Sequence, residues 1–363
     1  MVVELQILGI ESTEWLILII AAFGGGAFGA ALGALPAFCF TGFMVIAGEA
    51  LNVLQEFLAE TAGLDPGTAT AGITATLGFG PVFGPHISFA GGVAAAAYAS
   101  KRGYMAEGFD YHLAKDIAQA LGTKPDVLAV GGLFGIFGLV CRQALVAFAA
   151  PIDQIAITVV ISAFLARLVF GYPLVGKVGG SGYFDMTPFE QGQTRTVSDT
   201  DGPTPATDGG TAEEATEQRM ATEPWLPFQY KWANVAMIGL VAGILGAFIA
   251  YETGSAFLGF GISAATLTFL ALGTEVPVTH HITLVASTAT LSVLAWGPIA
   301  AIVVGTAFGI VSALSGEVLQ RLFYAHGDTH VDPPAFAIAV NTFVIAALAM
   351  LGVFPDSAWV TTL

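Results

Sequence analysis

The stretch Pro81-Val82-Phe83-Gly84-Pro85-His86-Ile87-Ser88 interrupts an otherwise apolar run, and it returns in altered form at Val276-Pro277-Val278-Thr279-His280-His281-Ile282-Thr283. Each is a helix-breaking segment followed by His-Ile-hydroxyl and then a run of small residues. Proline removes a backbone donor and stops a helix. At membrane depth a broken backbone is tolerated only where protein or a water-lined cavity encloses it. The two breaks therefore predict a pair of interrupted helices around a shared interior.

The rest of the chain agrees with a membrane setting. Of its 363 residues 55% are hydrophobic and 10% charged, with a mean hydropathy of +0.77, whereas a soluble domain carries about a quarter charged residues. Apolar runs fall at about 15–34, 36–58, 66–100, 126–149, 152–171, 232–251, 255–272, 279–296, 298–320 and 334–354. Most approach the ~20 residues of a membrane-spanning helix rather than the alternating ~10-residue segments of a barrel. The 45 glycines suit helices whose backbones approach closely. The expected fold is all-α, a polytopic transmembrane bundle. A formal charge of −16 with only 11 Lys and Arg excludes the basic footprint of a nucleic-acid binder. Cys39 and Cys141 sit in apolar runs and read as small core residues, implying neither a disulfide framework nor a metal site. No charged n-region with a cleavage site opens the sequence, so no signal peptide is expected.

The third run is too long for one helix and divides into a short helix at 66–78, the break, and a second helix at 87–100. Residues 101–124 read as an amphipathic surface helix or loop, and 176–224, rich in Gly, Thr, Pro and acid, as a disordered, solvated linker. That linker separates a first repeat, 1–175, from a second, 225–363. Phe134-Gly135-Ile136 matches Phe308-Gly309-Ile310, the two His-Ile-hydroxyl motifs match, Trp15 and Trp232 each open a first segment, and Pro151 and Pro333-Pro334 precede the last ones. Lys101, Arg102, Lys115, Lys124, Lys177, Arg195, Arg219, Lys231 and Arg321 lie in loops or at segment ends. The positive-inside rule puts those loops, and the linker, on the cytoplasmic side. Segments four and nine then cross in opposite senses, so the repeats are expected to be inverted. Re-entry of 66–78 gives ten spans with both termini outside; a full crossing gives eleven.

Inverted repeats with interrupted helices characterise transporters and some channels, with the site near the midplane. His86 and His281 start equivalent helices, with Ser88 and Thr283 beside them; singly each histidine reads as a packing residue, and as a matched pair they are expected to line a site. Free N–H groups at the two helix starts would favour neutral or anionic solutes. His280 is a further lining candidate. With His281 and Glu275 it lacks a recognised zinc spacing, and a proton relay through Glu275 and His280 competes with simple hydration of Glu275. Glu49 and Asn52 share a helical face, and Arg142 stands well inside a predicted span, so a buried Glu49–Arg142 pair is expected to offset the cost of isolated charge. Glu317 and Asn341 are the polar residues of segments nine and ten. His326, Asp328, His330 and Asp332 read as a polar surface turn, and Gly24-Gly25-Gly26 as a packing motif, since no Gly-Lys-Ser/Thr follows.

The arrangement of two inverted five-helix repeats, each with a Pro-containing interruption, resembles the urea-transporter plan of channels and permeases. The Leu-Pro-x-x-x-Pro-Phe type signature of that family is not present at Pro81–Pro85 or Pro277, so the resemblance carries no binding residue across. The acidic, lysine-poor, alanine-rich character resembles multi-pass membrane proteins of haloarchaea. The resulting expectation is a channel or secondary transporter in the cell membrane for a small neutral or anionic solute, with no catalytic constellation, cofactor or metal, the C-terminus outside, and homo-oligomer formation as in many such permeases. The competing expectation is a non-transporting membrane scaffold whose glycines serve assembly.

Overall fold

The computed structural model describes residues 6–7, 10–63, 72–196 and 218–362. Nearly all of the apolar sequence is helical: α1 (Ser12–Leu32), α2 (Ala34–Ala62), α3 (Ser88–Lys101), α4 (Pro125–Ala147), α5 (Gln154–Val169), the single turn α6 (Thr187–Glu190), α7 (Trp232–Thr253), α8 (Leu258–Ala271), α9 (His280–Ser292), α10 (Pro298–Phe323) and α11 (Pro333–Met350). Two short antiparallel strand pairs complete it, β1 (Gln6–Ile7) with β2 (Ile10–Glu11) and β3 (Thr194–Thr196) with β4 (Gln218–Met220).

Helices α1, α2, α4, α7, α10 and α11 are six that are long and apolar enough to cross a bilayer. The chain is a multi-pass membrane protein of the all-α class. Helices α5 and α8 are apolar but shorter, at 16 and 14 residues. Helices α3 and α9 have 14 and 13 residues because the Pro/Gly breaks consume the remainder of their segments. Side chains such as Ile17, Ile20, Met237 and Phe248 stand exposed on outward faces, an apolar surface of the kind a membrane covers.

Glycine decides which helices touch. On α1, Gly26 lies against Gly131 and Gly135 of α4, and Gly29 against the backbone of Ser88 at the start of α3. On α7, Gly243 lies against Thr306 and Gly309 of α10, and Gly246 against the backbone of Thr283 in the first turn of α9. The spacing of three residues is the same on both helices, and so are the partners. Between the halves α2 packs on α8 and α5 on α11, and both pairs run antiparallel. Gly42 of α2 faces Ala264 and Ala265, while Glu49, further along α2, meets Ser255 ahead of α8. The Asp153 N–H at the start of α5 donates to Thr342 Oγ1 of α11 at 3.0 Å, while Arg167 at the end of α5 reaches Thr329, ahead of α11.

Three expectations need revision. A π-helical turn at Thr74–Gly78 stands where a short helix at 66–78 was expected; residues 66–71 lie outside the described residues. The stretch 176–224, expected to be a solvated linker, has defined structure on both flanks: α6, the β3–β4 pair, and fully buried Thr222 and Glu223. The aromatic run Trp225–Phe228 pulls that flank onto the bundle, where Trp225 and Phe228 pack against the core; residues 197–217 lie outside the described residues. In 101–124, Lys115 is buried at 2% exposure because it has a carboxylate partner, described below.

A β-carbon on Gly246 would sit 2.6 Å from the Thr283 carbonyl oxygen, whereas one on Gly24 meets nothing within 4 Å. Gly246→Ala is therefore expected to lower stability by about 1–3 kcal/mol through overpacking, and Gly24→Ala to be neutral or slightly stabilising. Thermal unfolding of the two variants in detergent measures the difference.

Candidate functional site

Both breaks close on themselves in the same way. The N–H groups of Ile87 and Ser88 donate to Gly84 O at 2.8 and 3.0 Å, and those of Ile282 and Thr283 to Thr279 O at 3.0 Å each. At each helix start, two of the N–H groups expected to be free for an anion are thus satisfied by a local carbonyl. In the first break, Thr41 Oγ1 of α2 also donates to Phe83 O at 2.5 Å, and the carbonyls of Pro81 and Val82 lie over Gly25 of α1.

Adjacent residues on a helix point about 100° apart, and this separates the histidines. His86 lies beside Gly138 of α4 and within electrostatic reach of Arg142. His281 lies beside Gly316 of α10, and the Ser312 hydroxyl donates to its carbonyl at 3.0 Å. His280, one position earlier, turns to the interior between Phe38 and Phe260, with ring centroids 4.9 and 5.8 Å away.

That interior is a cavity of about 880 Å³. Its wall takes matching positions from both halves: Pro85 and Phe89 at the start of α3, His280 and Leu284 at the start of α9. Helix α5 supplies Asp153, Ala156 and Val159, and α11 supplies Asp332, Ala335 and Ile338. Asp153 and Asp332 are the N-caps of these two helices, accepting backbone N–H groups of Ile155, Ala156 and Ala335. Most of the wall is apolar and aromatic, but three buried polar atoms on it have no hydrogen-bond partner among the described residues: His280 Nδ1, His330 Nδ1 and Arg142 Nε. Such groups are costly to bury unmatched, so the cavity suits a guest with an apolar body and a few polar atoms.

Of the expected lining residues, His280 and Arg142 stand in this wall. Glu49 and Asn52 line a second cavity of about 300 Å³, and His86, Ser88, His281 and Thr283 line neither, being packed between helices. The expected Glu49–Arg142 pair is not formed: Glu49 bonds Thr74, Asn52 and Ser255, while the carboxylate within reach of Arg142 is Asp153. Glu275 is exposed, which leaves His280 without it. Glu317 pairs with Arg321 at 2.5 Å, and Asn341 donates to Ser315 and Ala337 O. The run His326–Asp332 is not a surface turn, for His326, Asp328, His330 and Asp332 are all buried. His326 donates Nε2–H to Tyr183 O and accepts the Gly179 N–H. Among the described residues no group of three or more His, Cys, Asp or Glu is arranged to hold a metal ion.

The end of the cavity nearest residues 102–124 and 218–231 is capped by Phe109–Tyr111, Lys115–Ala118 and Met220–Phe228. A buried ion network ties these segments together. Lys115 Nζ donates to Glu223 Oε2 at 2.6 Å and to Tyr324 O at 2.8 Å. His112 meets Glu223 through Nδ1 at 2.9 Å and Asp328 through Nε2, and Arg195 reaches Asp328 at 3.3 Å. Burial alone would raise the pKa of Glu223, but Lys115 and His112 outweigh it and hold the carboxylate down at about 2. Asp328, likewise opposed by burial, is held at about 2 by His112 and the arginines Arg195 and Arg219. These residues escaped sequence reasoning because their partners lie more than 100 positions apart. The one local signal was the return of aromatic residues directly after Glu223.

The chain belongs to a family of unknown function, DUF7973, whose profile spans residues 8–363. No curated protein and no solved structure matches it.

Glu223→Gln leaves the Lys115 ammonium buried without its carboxylate and is expected to cost about 3–5 kcal/mol, with the double variant Lys115→Met/Glu223→Leu closer to the parent. Thermal unfolding of the three proteins compares them. Both carboxylates titrate lower in the folded chain than their ordinary values of 4.5 and 3.8. Their contribution is present above those values and lost as pH falls toward about 2. Hydrogen exchange of 108–118 and 220–228, corrected for intrinsic rates, is expected to rise between pH 5 and pH 3 ahead of exchange in α4 and α10.

Proposed function

We propose that this protein is a membrane permease, a channel or secondary transporter, that carries a small neutral or anionic organic solute through the cavity between two inverted halves. The observation that carries this reading is the wall itself, where equivalent positions of α3 and α9, and of α5 and α11, enclose one space of about 880 Å³. The antiparallel packing of α2 on α8 and of α5 on α11 supports an inverted relation between residues 1–175 and 225–363. With α3 and α9 counted together with their breaks, each half crosses five times. The short helices then serve the purpose that interrupted segments have in transporters, placing irregular backbone only where it borders a cavity. Basic residues gather at the end that carries residues 102–124, 170–196 and 218–231, which the positive-inside rule puts in the cytoplasm.

The chemistry of the wall narrows the solute. Rings of Phe38 and Phe260 around His280, and of Phe89 against Phe38 and beside His330 at 5.7 Å, favour an apolar or planar body. The unmet nitrogens of the two histidines offer it hydrogen bonds, and the Arg142 guanidinium, near Asp153, gives one end of the cavity a cationic group able to meet a carboxylate.

Flux in proteoliposomes, measured over a panel of organic acids and neutral aromatics, tests this. Ala335→Phe fills the cavity from α11 and is expected to cut flux at least tenfold, about 1.4 kcal/mol in barrier height, without loss of assembled protein. Flux that is absent for every solute, or that is unchanged by Ala335→Phe, overturns the reading in favour of a non-transporting scaffold.

A further inference from the structure

Among the described residues six acidic side chains are buried: Glu49, Asp153, Glu223, Glu317, Asp328 and Asp332. Five have a basic side chain at hand: Arg142 for Asp153, Lys115 and His112 for Glu223, Arg321 for Glu317, His112 and Arg195 for Asp328, His330 for Asp332. Glu49, at 6% exposure, has none among the described residues, and the neighbouring residues 64–71, Leu-Asp-Pro-Gly-Thr-Ala-Thr-Ala, contain no Lys, Arg or His. Its carboxylate is met by neutral donors alone: Thr74 Oγ1 at 2.7 Å and Asn52 Nδ2 at 3.2 Å on Oε1, and Ser255 Oγ at 2.5 Å on Oε2. A buried charge of this kind is costly unless a counter-charge meets it.

The surroundings favour a cation. The cavity of about 300 Å³ beside Glu49 has a second carboxylate, Glu56, at its exposed rim, side-chain amides from Asn52 and Gln55, and no basic residue in its lining. Thr253 and Gly254, the last residue of α7 and its left-handed cap, also line it. The negative end of the α7 dipole therefore faces the same space, which stabilises positive charge.

We propose that Glu49, with Asn52 and Thr74, binds a small monovalent cation, sodium, and that this is the coupling ion of the transport reading on which the proposal rests. One full carboxylate and neutral oxygens suit a monovalent ion, whereas calcium takes six to eight oxygens, usually with several carboxylates. Thr74 ties the ion to the solute. It hydrogen-bonds Glu49 and also lines the central cavity, together with Phe79 in the same segment leading to the first break. Ser255 ties the other half: its hydroxyl donates to Glu49 while accepting the N–H groups of Phe257 and Leu258 at 3.1 and 2.9 Å, so it caps α8. Phe79 and Phe257 in turn meet at 5.2 Å in the cavity wall. An ion at Glu49 thus orders the segment 74–79 against α8, two surfaces that hold the solute.

The test uses the full chain in nanodiscs with no solute present. Melting temperature and sodium-23 NMR linewidth are followed as NaCl replaces choline chloride at constant ionic strength and pH 7. A saturable rise in melting temperature with NaCl is expected, with sodium-23 broadening. Glu49→Gln abolishes both, and Thr74→Val weakens apparent affinity roughly tenfold, the size of one lost polar contact. The proposal is overturned by equal responses to NaCl and choline, by a saturable sodium response that survives Glu49→Gln, or by a melting temperature that depends on pH through Glu49 but not on sodium. A response to CaCl2 at lower concentration than NaCl also overturns it. Because binding is read without solute, sodium binding in a protein that carries no flux refutes transport alone, and sodium-independent flux without binding refutes the ion site alone.

Discussion

Backbone-to-backbone contact at glycine is the constraint on which the other features of this molecule depend. Gly26 and Gly29 let α1 lie on α4 and on the first turn of α3; Gly243 and Gly246 do the same for α7, α10 and α9. In lipid there is little hydrophobic gain from bringing two apolar helices together, so close van der Waals packing is what holds them. The same contacts seat the first turns of α3 and α9 and leave the broken backbone ahead of each helix enclosed, where its N–H groups can find carbonyls. Without the close approach of α1 and α7, the breaks would face hydrocarbon with unsatisfied groups.

Once the breaks are seated, the cavity follows from helical geometry. His280 precedes the packed His281 by one residue and so points about 100° away from α10, into the centre, while Pro85 reaches the same space from the turn ahead of α3. Phe89 and Leu284, four residues on, extend the same stripes. The histidines of the two His-Ile-hydroxyl motifs are accordingly packing residues at the helix junctions, and the neighbour of one of them takes the position in the cavity wall.

Buried charge is handled in two ways in this chain. Near the cap, lysine, histidine and arginine side chains meet carboxylates from segments distant in sequence, and the network joins segments that line one end of the cavity. Such pairs add little net stability over apolar packing, but removing one member leaves the other stranded, so they fix which segments lie together. At Glu49 only neutral donors are present. The two environments, each containing a carboxylate at least nine-tenths buried, differ in what meets the charge: basic side chains in one, hydroxyl and amide groups in the other.

Composition and apolar run length sufficed for a multi-pass helical membrane protein, because a bilayer imposes a minimum length and a near absence of charge on any crossing segment. The approximate positions of most helices were also legible, since each depends on local backbone preference and apolar run length. The partner of each polar side chain was not. Glu49 and Arg142 share a plausible depth in sequence yet face different cavities, because the rotation of α2 and α4 is set by which glycines meet. Lys115, His112 and Glu223 looked like solvated loop charges, and only the folding of residues 220–228 onto the cap buried them together. Local chemistry is written residue by residue, whereas side-chain pairing across more than 100 residues depends on helix rotation and register, which exist only in the packed chain.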